Sequence, residues 1–99
     1  MSSNSKTIYI AGKITGNDSF IDDFKKAEKE LKKRGYTKII NPCCLSKLKL
    51  DYEQFMTITL SMVDVSDELY MLKNWEESNG ARREYLYAVS MNKVIKYER

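Results

Sequence analysis

Four short β-rich runs, separated by amphipathic stretches of helical length, constrain this chain more than any other feature. Lys6 to Ala11 (KTIYIA) is β-branched and aromatic and ends at Gly12, which reads as a buried strand. Asn17, Asp18 and Ser19 offer N-caps to a helix whose apolar positions are Phe20, Phe24, Ala27 and Leu31, and Gly35 is placed to stop it. Thr37 to Ile40 reads as a second strand closed by Asn41-Pro42, and Cys43 to Leu50 as irregular chain or a single turn. Asp51 with Gln54 resembles a capping box, opening a helix from Tyr52 to about Val65 with Phe55, Met56, Thr59, Met62 and Val63 facing inward. Glu68 to Lys73 is a third strand, a Ser-Asn-Gly-Ala loop leads to a last helix ending near Met91, and Val94 to Tyr97 is the final strand.

Such alternation predicts parallel strands joined by right-handed crossovers: a three-layer α/β sandwich of about four strands with helices on both faces. The 99 residues, 42% of them apolar, are expected to form one domain spanning 1–99 around one core. Ligands of such sheets bind beyond the carboxyl ends of the strands. Three loops are expected to converge there: Gly12 to Gly16, Asn41 to Cys44, and Asn74 to Gly80.

Composition narrows the chemistry. The chain has no histidine, which removes Ser-His-Asp and Cys-His nucleophile pairs and argues against a catalytic zinc site. No metal and no cofactor is expected, so acid–base work rests on carboxylates, tyrosines, lysines and two thiols. Cys43 and Cys44 are adjacent, which suits neither a disulfide staple nor a CxxC redox site and fits a reduced, cytoplasmic protein. No start resembling a signal peptide and no run of ~18 apolar residues is present, so no membrane association is expected. Net charge is +3, from 17 basic and 14 acidic residues. The densest basic run, Lys25 to Arg34, carries Glu28 and Glu30 and reads as a solvated helix face, not a surface for a nucleic-acid polymer.

Glu84 stands apart. Ala81, Tyr85, Ala88 and Val89 follow the spacing of a buried helical stripe, and Glu84 falls inside it. Its neighbours at i−4 and i+4, Gly80 and Ala88, cannot neutralise it. A carboxylate there either makes a structural hydrogen bond or has a chemical task. Tyr9 lies mid-strand, with its ring in the core and a hydroxyl able to orient Glu84. Gly12 and Gly16 permit close backbone approach of an anion, or simply make a tight turn. Ser78-Asn79-Gly80 is a second such place, or a plain N-cap. Trp75 is a stacking surface for a base or, slightly preferred, a lid on the core. Lys13, Lys47, Lys49, Arg82 and Arg83 are cations available to an anion, or solvated.

The segments TIYIAGKITG, IINP, SDELYMLKNWEESNGARREYLYA and KVIKYE occur in the order found in a known family. Together they resemble small, often phage- or prophage-encoded proteins related to nucleoside 2-deoxyribosyltransferases, among them N-glycosidases of deoxynucleoside monophosphates. The resemblance implies a flavodoxin- or Rossmann-like sheet and a retaining double displacement at the sugar, by a hydrolase or a transferase. Glu84 matches the nucleophilic glutamate and Tyr9 the tyrosine that holds it. Gly12, Lys13, Ile14, Thr15 and Gly16 span the loop that cradles a 5′-phosphate, and Ser78 and Gly80 match its second phosphate contact. Asn41 and Trp75 belong to matching segments and are further candidate substrate contacts. Transferases acting on free nucleosides carry an acidic residue where Ser78 stands, so a phosphorylated ligand is expected. A homo-oligomer, a dimer or higher, is implied as well.

Two departures follow from the same comparison. Thr59 stands where the family has its general-acid aspartate, and a threonine does not supply a proton as a carboxylic acid does, a contribution worth ~10²–10⁴-fold. Asp64, five residues on, is expected to point elsewhere. The family's characterised members also carry a C-terminal extension, whereas this sequence stops at Arg99. Three readings are open: an N-glycosidic enzyme using Glu84, a slow or non-catalytic nucleotide-sequestering protein, and an interaction module that keeps only the fold.

Overall fold

The computed structural model describes residues 4–99. Its sheet has four parallel strands: β1 (Asn4–Ala11), β2 (Tyr36–Ile40), β3 (Glu68–Met71) and β4 (Val94–Tyr97), in the order β2-β1-β3-β4. Tyr9 pairs with Ile40 on one side and Leu69 on the other, and Leu69 pairs with Ile95. The three helices are α1 (Phe20–Lys33), α2 (Tyr52–Asp64) and α3 (Asn79–Ser90), with two 3₁₀ turns at Pro42–Leu48 and Trp75–Glu77. The expected three-layer α/β sandwich is therefore the observed one.

Alternation along the strands divides the core into two halves. Ile8, Ile10, Tyr70 and Leu72 pack with Phe24, Ala27 and Leu31 of α1 on one face. Tyr9, Ala11, Leu69 and Met71 pack with Val63 of α2 and Ala88 of α3 on the other. Because the chain leaves β1 toward β2 on one side and later toward β3 on the other, a crevice opens beyond the ends of β1 and β3.

The turns obey local chemistry in most places. Asp51 accepts the Gln54 N–H at 2.8 Å while the Gln54 side chain accepts the Asp51 N–H at 3.0 Å, so the capping box is real. Gly35 follows α1 with φ +94°, where a side chain is strained. Other local expectations need correction. Residues 42–48 form a regular 3₁₀ helix because Asn41 caps it, accepting the Cys43 N–H at 3.0 Å. Ser19 makes no capping bond; Asn17 organises that loop, donating to the Lys13 carbonyl and to Asp23. The third strand ends at Met71, and Asn79 and Gly80 already form the first turn of α3. Val89 is 47% exposed; the buried line on α3 is Ala81, Glu84 and Ala88, and Val89 falls about 100° around the helix from Ala88.

Candidate functional site

A cavity of about 270 Å³ lies at the crevice, with Tyr9 and Glu84 among its lining residues. Tyr9 reaches it because it occupies the central strand and points to the face covered by α2 and α3. Glu84 reaches it from the second turn of α3, six residues after the Ser78 N-cap. The Tyr9 hydroxyl donates to Glu84 Oε2 at 2.8 Å, with both side chains buried. Burial pushes the Glu84 carboxyl up to about 7, partly countered by hydrogen bonds from Tyr9 and Thr59 that favour its charged form. Burial and the adjacent Glu84 likewise push the Tyr9 phenol well above its ordinary value, so Tyr9 serves as a donor at neutral pH.

The loop after β1 forms one wall. Gly12, Ile14 and Thr15 line the cavity. A Cβ on Gly12 would fall 2.7 Å from Leu72 Cδ1, so this close crossing of strand end and loop requires glycine. Gly16 has φ +77° and turns the loop without lining the cavity. Lys13 points across the rim: its Nζ is 3.1 Å from Glu77 Oε1, and its N–H donates to Asn74 Oδ1 at 3.1 Å.

The start of α3 forms the facing wall, contributing Ser78, Asn79, Gly80 and Ala81. Ser78 is both cap and lining, since its Oγ accepts the Ala81 N–H at 3.1 Å. A Cβ on Gly80 would lie 3.1 Å from Met56 Sδ, so glycine keeps α2 and α3 close at this point. Thr59 is fully buried, makes a long 3.4 Å contact with the Met56 carbonyl, and does not line the cavity.

The remaining sequence candidates go elsewhere. Asn41 turns toward α1, donating to Glu28 at 3.1 Å beside a separate surface groove. Trp75 stacks on Tyr85 at 4.7 Å between ring centroids and covers the α2/α3 half of the core, which makes it a lid. Arg83 pairs with Glu53 at 3.2 Å and lies over the Tyr52 ring, while Arg82 bonds the Glu76 carbonyl and Asn79. Lys47 and Lys49 are exposed. Asp64 accepts the Tyr87 hydroxyl at 2.7 Å, away from the cavity as expected. Cys43 and Cys44 are free thiols, and burial pushes Cys43 up to about 12, too high for a thiolate nucleophile at neutral pH.

Seven lining residues escape the sequence reading of the site: Phe24, Pro42, Tyr52, Phe55, Met56, Glu77 and Ala81. The capping box was the available signal, because it fixes where α2 starts and hence that Tyr52, Phe55 and Met56 occupy its first two turns beside the crevice. Among the described residues no group of three or more His, Cys, Asp or Glu side chains is arranged to hold a metal ion, and no helix is long and apolar enough to cross a membrane.

Fold and cavity define a parallel α/β domain with a hydrogen-bonded Tyr–Glu pair set in the crevice beyond the sheet. Residues 6–97 match the family model described as a domain of unknown function (DUF4406), and the chain belongs to that family. No curated protein and no solved structure matches it.

Proposed function

We propose that this protein binds a nucleotide or nucleoside, preferably phosphorylated, and cleaves or transfers its N-glycosidic bond through Glu84. The observation that carries the reading is the buried carboxylate lining a cavity and held at 2.8 Å by the Tyr9 hydroxyl. A buried carboxylate without a cationic partner costs stability, and such groups concentrate where chemistry requires them. The sequence resemblance to nucleoside 2-deoxyribosyltransferases supports the same assignment. Glu84 attacks the anomeric carbon to give a glycosyl ester, and Tyr9 positions the carboxylate. Gly12, Thr15, Ser78 and Gly80 frame the phosphate end, and water or a second base resolves the ester. The protein acts as a homo-oligomer.

A second reading, slow or absent turnover with retention of the nucleotide, is favoured by one observation: Thr59, at the position the resemblance assigns to the general acid, is buried outside the cavity lining and carries no carboxylic acid. Mass spectrometry after incubation with a mixed nucleotide pool separates the two. Free base is expected in solution; intact nucleotide retained by the protein would support sequestration instead. Glu84→Gln should lower base release by at least ~10³-fold while ligand affinity stays within a few-fold. Unchanged turnover in that variant would remove Glu84 as nucleophile.

A further inference from the structure

The cavity wall on the α1 and α2 side is contributed by Phe24, Pro42, Tyr52, Phe55 and Met56, all apolar or aromatic. The carboxyl groups lining the cavity are Glu84 and Glu77; Glu77 sits at the α3 end, 3.1 Å from Lys13 Nζ, with its side chain 67% exposed. With the sugar over Glu84 and the polar substituent at the Thr15 and Ser78 walls, the base rests against the apolar side. No carboxylic acid, thiol or histidine lines that side among the described residues. An ordinary base departs as an anion unless it is protonated, so this arrangement handicaps neutral nucleosides.

We infer that the bond this site cleaves belongs to a cationic N-glycoside, in which the base is a pyridinium or an N-alkylated purine; the inference rests on the Glu84 reading above. Glu84 attacks C1′ on the face opposite the base. The C1′–N bond breaks, and its electron pair returns to the ring, cancelling the positive charge. The base leaves neutral without receiving a proton. Water then displaces the carboxylate from C1′ and gives its proton to solvent.

Charge and aromatic content point the same way. The described lining residues include no Lys or Arg side chain; of the two carboxylates, Glu77 is paired with Lys13 at the exposed edge, which leaves Glu84 as the buried acidic group facing the ligand. A cationic ring against this lining also favours the ionised form of Glu84 that attack requires. Phe55 presents an aromatic surface to the cavity on which a cationic ring can stack.

Matched substrates test this directly. Base release is measured for 7-methylguanosine 5′-monophosphate against guanosine 5′-monophosphate, each with ribose and with 2′-deoxyribose, and for nicotinamide mononucleotide against uridine 5′-monophosphate. Rates with Glu84→Gln are subtracted to remove spontaneous loss. The cationic member of each pair is expected to react faster by at least ~10²-fold, the size of a missing acid contribution. Equal Glu84-dependent rates within each pair would overturn the substrate class and leave the nucleophile standing. No Glu84-dependent release from any of them would overturn both.

Discussion

Glu84 sets the protonation behaviour of this molecule. Its carboxyl is raised by burial to about 7 from an ordinary value near 4.5, so the folded state binds a proton that the unfolded chain releases. The sign follows: the stability associated with this proton is complete below about pH 4.5, is lost as pH rises toward 7, and stays lost above it. The magnitude is on the order of 3 kcal/mol. Urea denaturation between pH 5 and pH 8 should therefore show wild type weakening relative to Glu84→Gln, which titrates nothing at this position. At pH 8 the variant is expected to be the more stable by about 1–3 kcal/mol. Parallel pH profiles for the two proteins would mean that folding does not raise the Glu84 carboxyl into this range. Attack at carbon needs the carboxylate, so base release should rise with pH through the same interval in which stability falls.

At the level of elements, Ser78 joins two tasks: it caps α3 and lines the cavity. Ser78→Ala should cost about 1 kcal/mol in thermal or denaturant unfolding, the usual loss for an N-cap. It should also weaken nucleotide binding measured by calorimetry, because the first turn of α3 frames one wall. A stability loss with unchanged affinity would confine Ser78 to capping. Element order and the capping box at Asp51 are legible in the sequence because each rests on short-range periodicity; the Tyr9–Glu84 meeting, between residues 75 apart, is legible only through the family resemblance. Three things are not. Helical spacing puts Val89 in the inward stripe, yet spacing does not say how wide a stripe the neighbouring α2 can cover, and Val89 is left half exposed. Asn41 sits in one of the three loops expected to converge, but Glu28, 13 residues away in sequence, draws its side chain toward α1. The capping box fixes that Tyr52 and Phe55 lie in the first two turns of α2, but that they form a cavity wall depends on how α2 crosses the crevice, which local sequence does not encode.

Across the whole molecule, apolar surface is left over on the α3 and β4 side. Leu86 is 65% exposed, Val89 47%, Val94 50% and Tyr97 50%, and β4 is an edge strand with one neighbour. Unpaired edges and apolar patches commonly mark association surfaces. Static light scattering at micromolar concentration is expected to give a mass at least twice the 11.6 kDa of one chain. A monomer mass would show that this surface is tolerated in water and would remove the homo-oligomer from the proposal.

The floor and the rim of the cavity belong to different kinetic regimes. Tyr9 sits on the central strand between β2 and β3, so the amides around it exchange with solvent only when the sheet opens as a whole. The rim is bridged by Lys13 and Glu77, a partly exposed pair of the kind worth only ~0.2–1 kcal/mol and weakened further by salt. A ligand would thus meet a gate that parts readily above a base that barely moves, and ionic strength would tune how fast it arrives without disturbing the carboxylate that awaits it.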